Sequence, residues 1–187
     1  LKIFTQNIGI DVAKDSFVAC LSYLLFDREI KFVSVQSFKN SEAGFLAFSD
    51  WFMGHLVPEV DVCFTMEATG VYYERLAYYL FSENYQVSVV QPTQASNYKK
   101  SESQSSKTDK LDAKSLARMG LERKLVPWKP TSEYYMLLRD LTRERSALKT
   151  DQTRLKNQLH ALIHSKYLHP VRKELIEERL GLIKSQL

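Results

Sequence analysis

The sequence predicts a mixed α/β fold: about five strands, three antiparallel and then parallel, with flanking helices and a long helical arm behind them. Three observations predict it. Three segments rich in β-formers follow one another at the start of the chain, separated only by short polar connections. From Pro58 onward strand and helix patterns alternate, and residues 132 to 168 contain neither Gly nor Pro.

The first strand is IFTQNIGI (3–10), the second SFVACLSYLL (16–25), and DVAKD lies in the connection between them. The third, IKFVSVQS (30–37), follows DRE and sets Ile30, Phe32, Val33 and Val35 against Lys31, Ser34 and Gln36. Connections this short join antiparallel neighbours. SEAGFLAFSDWFMGHL (41–56) spaces Phe45, Phe48, Phe52 and Leu56 at helical intervals, with Ser41 placed to cap. VDVCFTME (60–67) reads as a strand, VYYERLAYYLFSEN (71–84) as a helix, and YQVSVVQP (85–92) as a strand closed by Pro92. Strand, helix, strand implies a parallel crossover.

Residues 93 to 108, TQASNYKKSESQSSKT, are poor in large apolar side chains and read as a mobile loop that orders on a polyanion. A helix is expected at 109–122, and the two prolines of VPWKP mark a hinge. In the arm, Leu141, Leu148, Leu155 and Leu162 recur every seven residues, with Leu138 and Leu159 on the adjoining seam and Arg145 and Gln152 interrupting it. That spacing predicts a coiled coil. Pro170 ends the arm, and 171–187 reads as a further amphipathic helix. The division expected is a catalytic domain over 1–130 and a helical dimerisation arm over 131–187.

The composition, 44% hydrophobic and 26% charged, is that of a globular protein. No apolar run approaches the roughly 18 residues of a membrane span, and the N-terminus lacks the layout of a secretory signal. A cytoplasmic protein without membrane contact is expected. Cys20 and Cys63 have no Cys or His at ligand spacing and read as buried thiols. His160 and His164 have i, i+4 spacing but no third ligand, so solvated histidines are expected.

Charge is unevenly placed. Residues 1–98 hold 6 Lys+Arg against 11 Asp+Glu, whereas residues 99–187 hold 20 against 11. The basic second half suggests a polyanionic partner, DNA above all. Lys99, Lys100, Lys107, Lys110, Lys114, Arg118, Arg123 and Lys124 are the candidate nucleic-acid contacts. Tyr98 and Trp128 either stack on unpaired bases or, for Trp128, pack at the hinge.

Four carboxylates stand out. Asp11 follows the strand residues IGI, and Glu67 ends the apolar run VCFTM, so parallel neighbours would carry both at one sheet end. Asp109 and Asp112, at i and i+3, share a helix face. Each has a plain alternative: a turn residue for Asp11, a strand-to-helix turn capped by Thr69 around Glu67, and a capping box of Ser106 and Asp109 with Asp112 merely solvated. As a set they suit hard divalent ions such as Mg²⁺, with Mn²⁺ as substitute, because four converging carboxylates repel unless cations offset the charge.

The stretches IGIDVAKDSF, MEATGVYYERLAYYL, VVQPTQASNYKKS and KTDKLDAKSLARMG, followed by LVPWKP, resemble in content and order the N-terminal half of IS110-family transposases and the related site-specific DNA invertases. The resemblance spans about residues 5 to 130 and, in character, the arm. It implies a RuvC-like, RNase H-type catalytic domain whose Asp-Glu-Asp-Asp tetrad is Asp11, Glu67, Asp109 and Asp112. It also implies a C-terminal domain bearing a serine nucleophile, joined through a coiled coil that helps oligomerise the protein. That domain is expected to be absent from this chain, so neither Ser101 nor Ser115 is promoted to nucleophile. A structured non-coding RNA that bridges target and donor DNA is a further implied partner.

The function expected is therefore a DNA transposase or recombinase of an insertion sequence, cutting and exchanging strands with metal. The alternative is a stand-alone RuvC-like, Mg²⁺-dependent junction endonuclease. A nucleotide-binding protein of the actin and sugar-kinase class needs further glycine-rich phosphate loops, which six glycines supply poorly. A purely structural dimerisation module would leave the tetrad unexplained.

Overall fold

Strand β1 (Ile3–Val12) lies at the centre of a five-stranded sheet, because its alternate faces are both covered by helices and its residues from Gln6 to Ile10 are all buried. The computed structural model describes residues 2–102, 108–167 and 169–187. β2 (Ser16–Leu25) and β3 (Ile30–Lys39) follow as antiparallel neighbours, and β4 (Val62–Glu67) and β5 (Gln86–Val90) add in parallel on the other side. The order is β3-β2-β1-β4-β5. This is the mixed RNase H-type sheet expected, and its strand order follows from local rules: antiparallel hairpins where connections are short, parallel pairing where a helix intervenes.

Period-2 alternation divides the sheet into two faces. Ile8, Ile10, Val12, Phe17, Phe64 and Met66 face an aromatic core shared with α1 (Glu42–Met53) and α2 (Glu74–Ser82). There Phe48 meets Phe17, Phe52 and Phe64 edge to face, with ring centroids 5.0–6.1 Å apart. Ser41 caps α1, its hydroxyl accepting from Gly44 N–H.

The opposite face carries small and polar side chains, and α4 (Asp109–Glu122) lies on it. Gly9 is the reason it can lie so close. A Cβ at that position would strike the backbone N of Ala117 and the carbonyl O of Ala113. Gly120 plays the same part further along α4, where a Cβ would strike Asn7 and Thr65, whose side chains share a buried hydrogen bond of 3.0 Å.

The expectation of a mobile loop over 93–108 is corrected. Pro92–Ser101 form α3, with Pro92 at its first turn, where a missing N–H costs nothing, and with Ala95 and Tyr98 buried three residues apart. Residues 103–107 lie outside those described. Two buried side chains sufficed to dock a helix whose polar composition masked the pattern.

The chain divides into two compact units, Leu1–Pro130 and Thr131–Leu187. In the second, α5 (Glu133–Ile163) and α6 (Pro170–Gln186) pack together: Leu155 and Leu162 of the heptad seam are buried with Ile176 and Leu180. Leu138 and Leu141, at the start of that seam, are exposed. The seam thus packs against α6 within the same chain over its C-terminal half. No described helix is long and apolar enough to cross a membrane.

Candidate metal and nucleic-acid site

β1 and β4 are paired in parallel up to Ile10 and Met66. Asp11 and Glu67 are the next residue on each strand, so both leave the same end of the sheet, and alternation turns both toward the face that α4 covers. Thr108 then fixes where α4 begins: its hydroxyl accepts from Leu111 N–H at 3.3 Å, making Asp109 the first helical residue. Asp109 and Asp112 therefore occupy the first turn, where the positive end of the helix dipole favours negative charge. Asp112 is buried and Asp109 exposed. The capping box read on Ser106 lies outside the described residues; the cap observed is Thr108.

Asp11 feels the other three carboxylates. Burial, and then the charges of Asp112, Asp109 and Glu67, push the Asp11 carboxyl up to about 6, against a partial offset from Lys99. Thr69 does not cap a helix; its hydroxyl donates to Glu67 Oε1 at 3.1 Å and orients that carboxylate. Glu67 sits before a turn in which Gly70 takes φ +58°, the left-handed conformation that suits glycine.

The cation in this cluster is Lys99, from α3. Its Nζ is 3.1 Å from Asp112 Oδ1 and 3.8 Å from Glu67 Oε2. Among the described residues no group of three or more His, Cys, Asp or Glu forms a ready metal cage. The donor set nonetheless suits a hard divalent ion: every acidic side chain offers oxygen, and a lysine ammonium already stands where positive charge is needed.

The other basic residues divide by environment. Lys100, Lys110, Arg123 and Lys124 are exposed, and Lys107 lies outside the described residues. Lys114 and Arg118 sit over the Phe32 ring, at 5.4 and 5.5 Å from its centroid. Arg118 also pairs with Glu102 at 3.0 Å, and the Ser115 hydroxyl donates to the same carboxylate. Sequence reasoning misses Glu102, the C-cap of α3 and its anchor to α4, because the polar composition of 93–108 predicts a loop there. Tyr98 is buried and donates to Glu122 at 2.7 Å, so it is not placed to stack on a base. Trp128 packs edge-on to Tyr78 and Phe81 and donates its backbone N–H to Val87 O at 2.7 Å, the packing role among the two readings. His160 on α5 and His164 at its C-cap face each other with ring centroids 4.4 Å apart.

A transposase family model, that of the IS110 DEDD type, matches residues 8–168. The chain belongs to the IS110-type DEDD transposase family. Within and around this family, the chain is 34% identical over 139 residues to the pilin gene-inverting proteins of Moraxella lacunata and Moraxella bovis. The match covers 74% of this chain but 41% of either relative, so the chain spans less than half the length of those gene-inverting proteins. Among solved structures it is similar to Thermus thermophilus RuvC in complex with a Holliday junction substrate, at 10% identity and TM-score 0.49, covering 66% of this chain and all of that one. The fowlpox virus Holliday junction resolvase is similar at 13% identity and TM-score 0.43, over 63% of this chain and 96% of that one. The RNase H-type assignment rests on the strand order and not on these distant likenesses.

Proposed function

We propose that the unit ending at Pro130 is the DNA-cleaving domain of a transposase or site-specific DNA recombinase, with Asp11, Glu67, Asp109 and Asp112 holding Mg²⁺, or Mn²⁺ in its place. The observation that carries this reading is the meeting of the four carboxylates at one sheet end, close enough that three of them raise the fourth. Without cations that arrangement only costs stability; with them it becomes a site.

A bound divalent ion would supply charge neutralisation at the attacking and leaving oxygens of a phosphodiester. The chain's own residues do the rest. Thr69 holds Glu67 in one orientation, and the Lys99 ammonium of α3 reaches the buried Asp112. Lys100, Lys110, Arg123 and Lys124, joined by Lys107, would follow the phosphate backbone of DNA, whose affinity is largely electrostatic. Lys114 and Arg118 contribute field from their places over Phe32.

Strand exchange would require a serine-bearing domain beyond this chain, and the greater length of the relatives leaves room for one. A structured RNA would share the basic surface with DNA. The exposed leucines Leu138 and Leu141 suit a homo-oligomer built through the helical arm. The natural setting would be the cytoplasm of a bacterium or archaeon.

Strand cleavage of supercoiled DNA, compared in Mg²⁺, Mn²⁺ and EDTA for the wild-type chain and for Asp11→Asn and Asp112→Asn, tests the reading. Cleavage only with metal, lost in both variants, supports it. Cleavage that persists in EDTA or in either variant removes the carboxylates from the chemistry.

A further inference from the structure

Lys99 sits in an unusual place for a lysine in the last turn of a polar helix. Its neighbour Lys100 is exposed, whereas Lys99 turns inward and its ammonium lies between two carboxylates from different elements, Asp112 of α4 and Glu67 of β4. The contact is partly shielded from water: the Lys99 side chain is 25% exposed, that of Glu67 18% and that of Asp112 12%. Two acceptors on two elements, held by one cation, is the connectivity of a bridging metal ion.

The helix is built to deliver it there. Ala95 and Tyr98 anchor α3 on Val90, Leu116 and Met119, and Tyr98 is tied to Glu122. At the end of α3, Glu102 accepts from Ser115 and pairs with Arg118, both on α4. Lys99 lies between these two fixed points, so its backbone is not free to withdraw. Its side chain, with four methylenes, is.

We propose that Lys99 is a positioning residue that holds the place of the divalent cation: its ammonium keeps Glu67 and Asp112 together before metal arrives, and metal must displace it. This deepens the metal-site reading given above and rests on it. The displaced ammonium stays tethered beside the site, where a phosphodiester entering with the metal presents the next negative charge. Lys99 therefore exchanges a carboxylate partner for a phosphate one.

Competition of this kind has a definite sign. An ammonium within 4 Å of two ligands opposes a divalent ion at the same oxygens, so removing it must tighten metal binding even though a favourable ion pair is lost. A lysine that served only to pin α3 to α4 would have the opposite effect, since its loss would loosen the site.

The experiment is titration calorimetry of Mn²⁺ into the 187-residue chain, for wild type, Lys99→Met, Lys99→Arg and Asp112→Asn. Lys99→Met is expected to bind Mn²⁺ about tenfold more tightly than wild type, a change of about 1.4 kcal/mol. Lys99→Arg keeps the charge and should bind within about twofold of wild type. Asp112→Asn should bind at least tenfold more weakly, which locates the ion. If Lys99→Met does not fold without metal, Lys99→Gln carries the same expectation. Wild-type binding with Lys99→Met equal or weaker overturns the role of Lys99 and leaves the metal site standing. Equal tightening in Lys99→Arg overturns it as well, since charge is then not the cause. No binding by wild type, Lys99→Met or Lys99→Gln overturns the metal site itself, and the Lys99 role with it.

Discussion

Gly9 on β1 and Ala117 on α4 are in backbone contact, so close that glycine's lack of a side chain is what lets the helix carrying Asp112 reach the strand carrying Asp11. The site is built on this approach. A larger residue at position 9 would have to push away helix backbone, which cannot give as a flexible side chain does.

Gly9→Ala is therefore expected to destabilise the chain by at least about 2 kcal/mol, the range of overpacked cores. Gly181→Ala is the control. Nothing lies within 4 Å of a Cβ there, and in a helix interior the change should stabilise by up to about 1 kcal/mol. Urea unfolding of the two variants, read by circular dichroism, gives the comparison. Equal effects of the same sign would mean that α4 does not seat on β1 as described.

Asp11 predicts a pH dependence. Its carboxyl binds a proton more tightly in the folded chain, at about 6, than at the ordinary 3.8. Folding is then favoured by this group below about pH 4, and the advantage is lost as pH rises through about 6. In EDTA, Asp11→Asn should raise the melting temperature at pH 8 and leave it unchanged near pH 3.5. A variant that melts lower than wild type at pH 8 would mean that Asp11 is held by favourable contacts instead of burdened by its neighbours. Metal reverses the order, since only ionised Asp11 is a ligand.

Arg118 and Lys100 should separate stability from DNA affinity. The Glu102 side chain is 8% exposed and Arg118 is its ion partner, so Arg118→Gln is expected to cost about 2 kcal/mol of stability, below the usual figure for a buried pair because Arg118 itself is partly solvated. Lys100→Gln should cost almost nothing in stability. Each of Lys100, Lys110, Arg123 and Lys124 that meets a phosphate should, when changed to Gln, reduce the slope of log affinity against log salt by about 0.9. Fluorescence anisotropy with a labelled duplex between 50 and 200 mM salt measures it. An unchanged slope in all four would place the DNA elsewhere.

The strands, the first two helices and α4 were legible in the sequence because each carries its own pattern. β-former content marks β1 and β2, alternation marks β3, aromatic spacing marks α1, and the i, i+3 pair of Asp109 and Asp112 survives because α4 starts where the pattern says. α3 was not legible: its two buried residues, Ala95 and Tyr98, sit among serines, lysines and glutamines, and only packing against Leu116 and Met119 makes them a core. The inward turn of Lys99 was hidden for the same reason. On composition it matched Lys100, and only the position of α3 separates a lysine that faces solvent from one that faces carboxylates. In the arm, a seven-residue repeat does not say which partner covers it, and for Leu155 and Leu162 the partner is α6.

The most direct test of the central claim is a crystal structure of the chain soaked in Mn²⁺, with the ions located by anomalous scattering. The account predicts a manganese peak between Asp11, Glu67 and Asp112, with the Lys99 ammonium moved off both of its carboxylates. An undisplaced Lys99 with no anomalous peak at millimolar Mn²⁺, while α4 remains seated on Gly9, would contradict it.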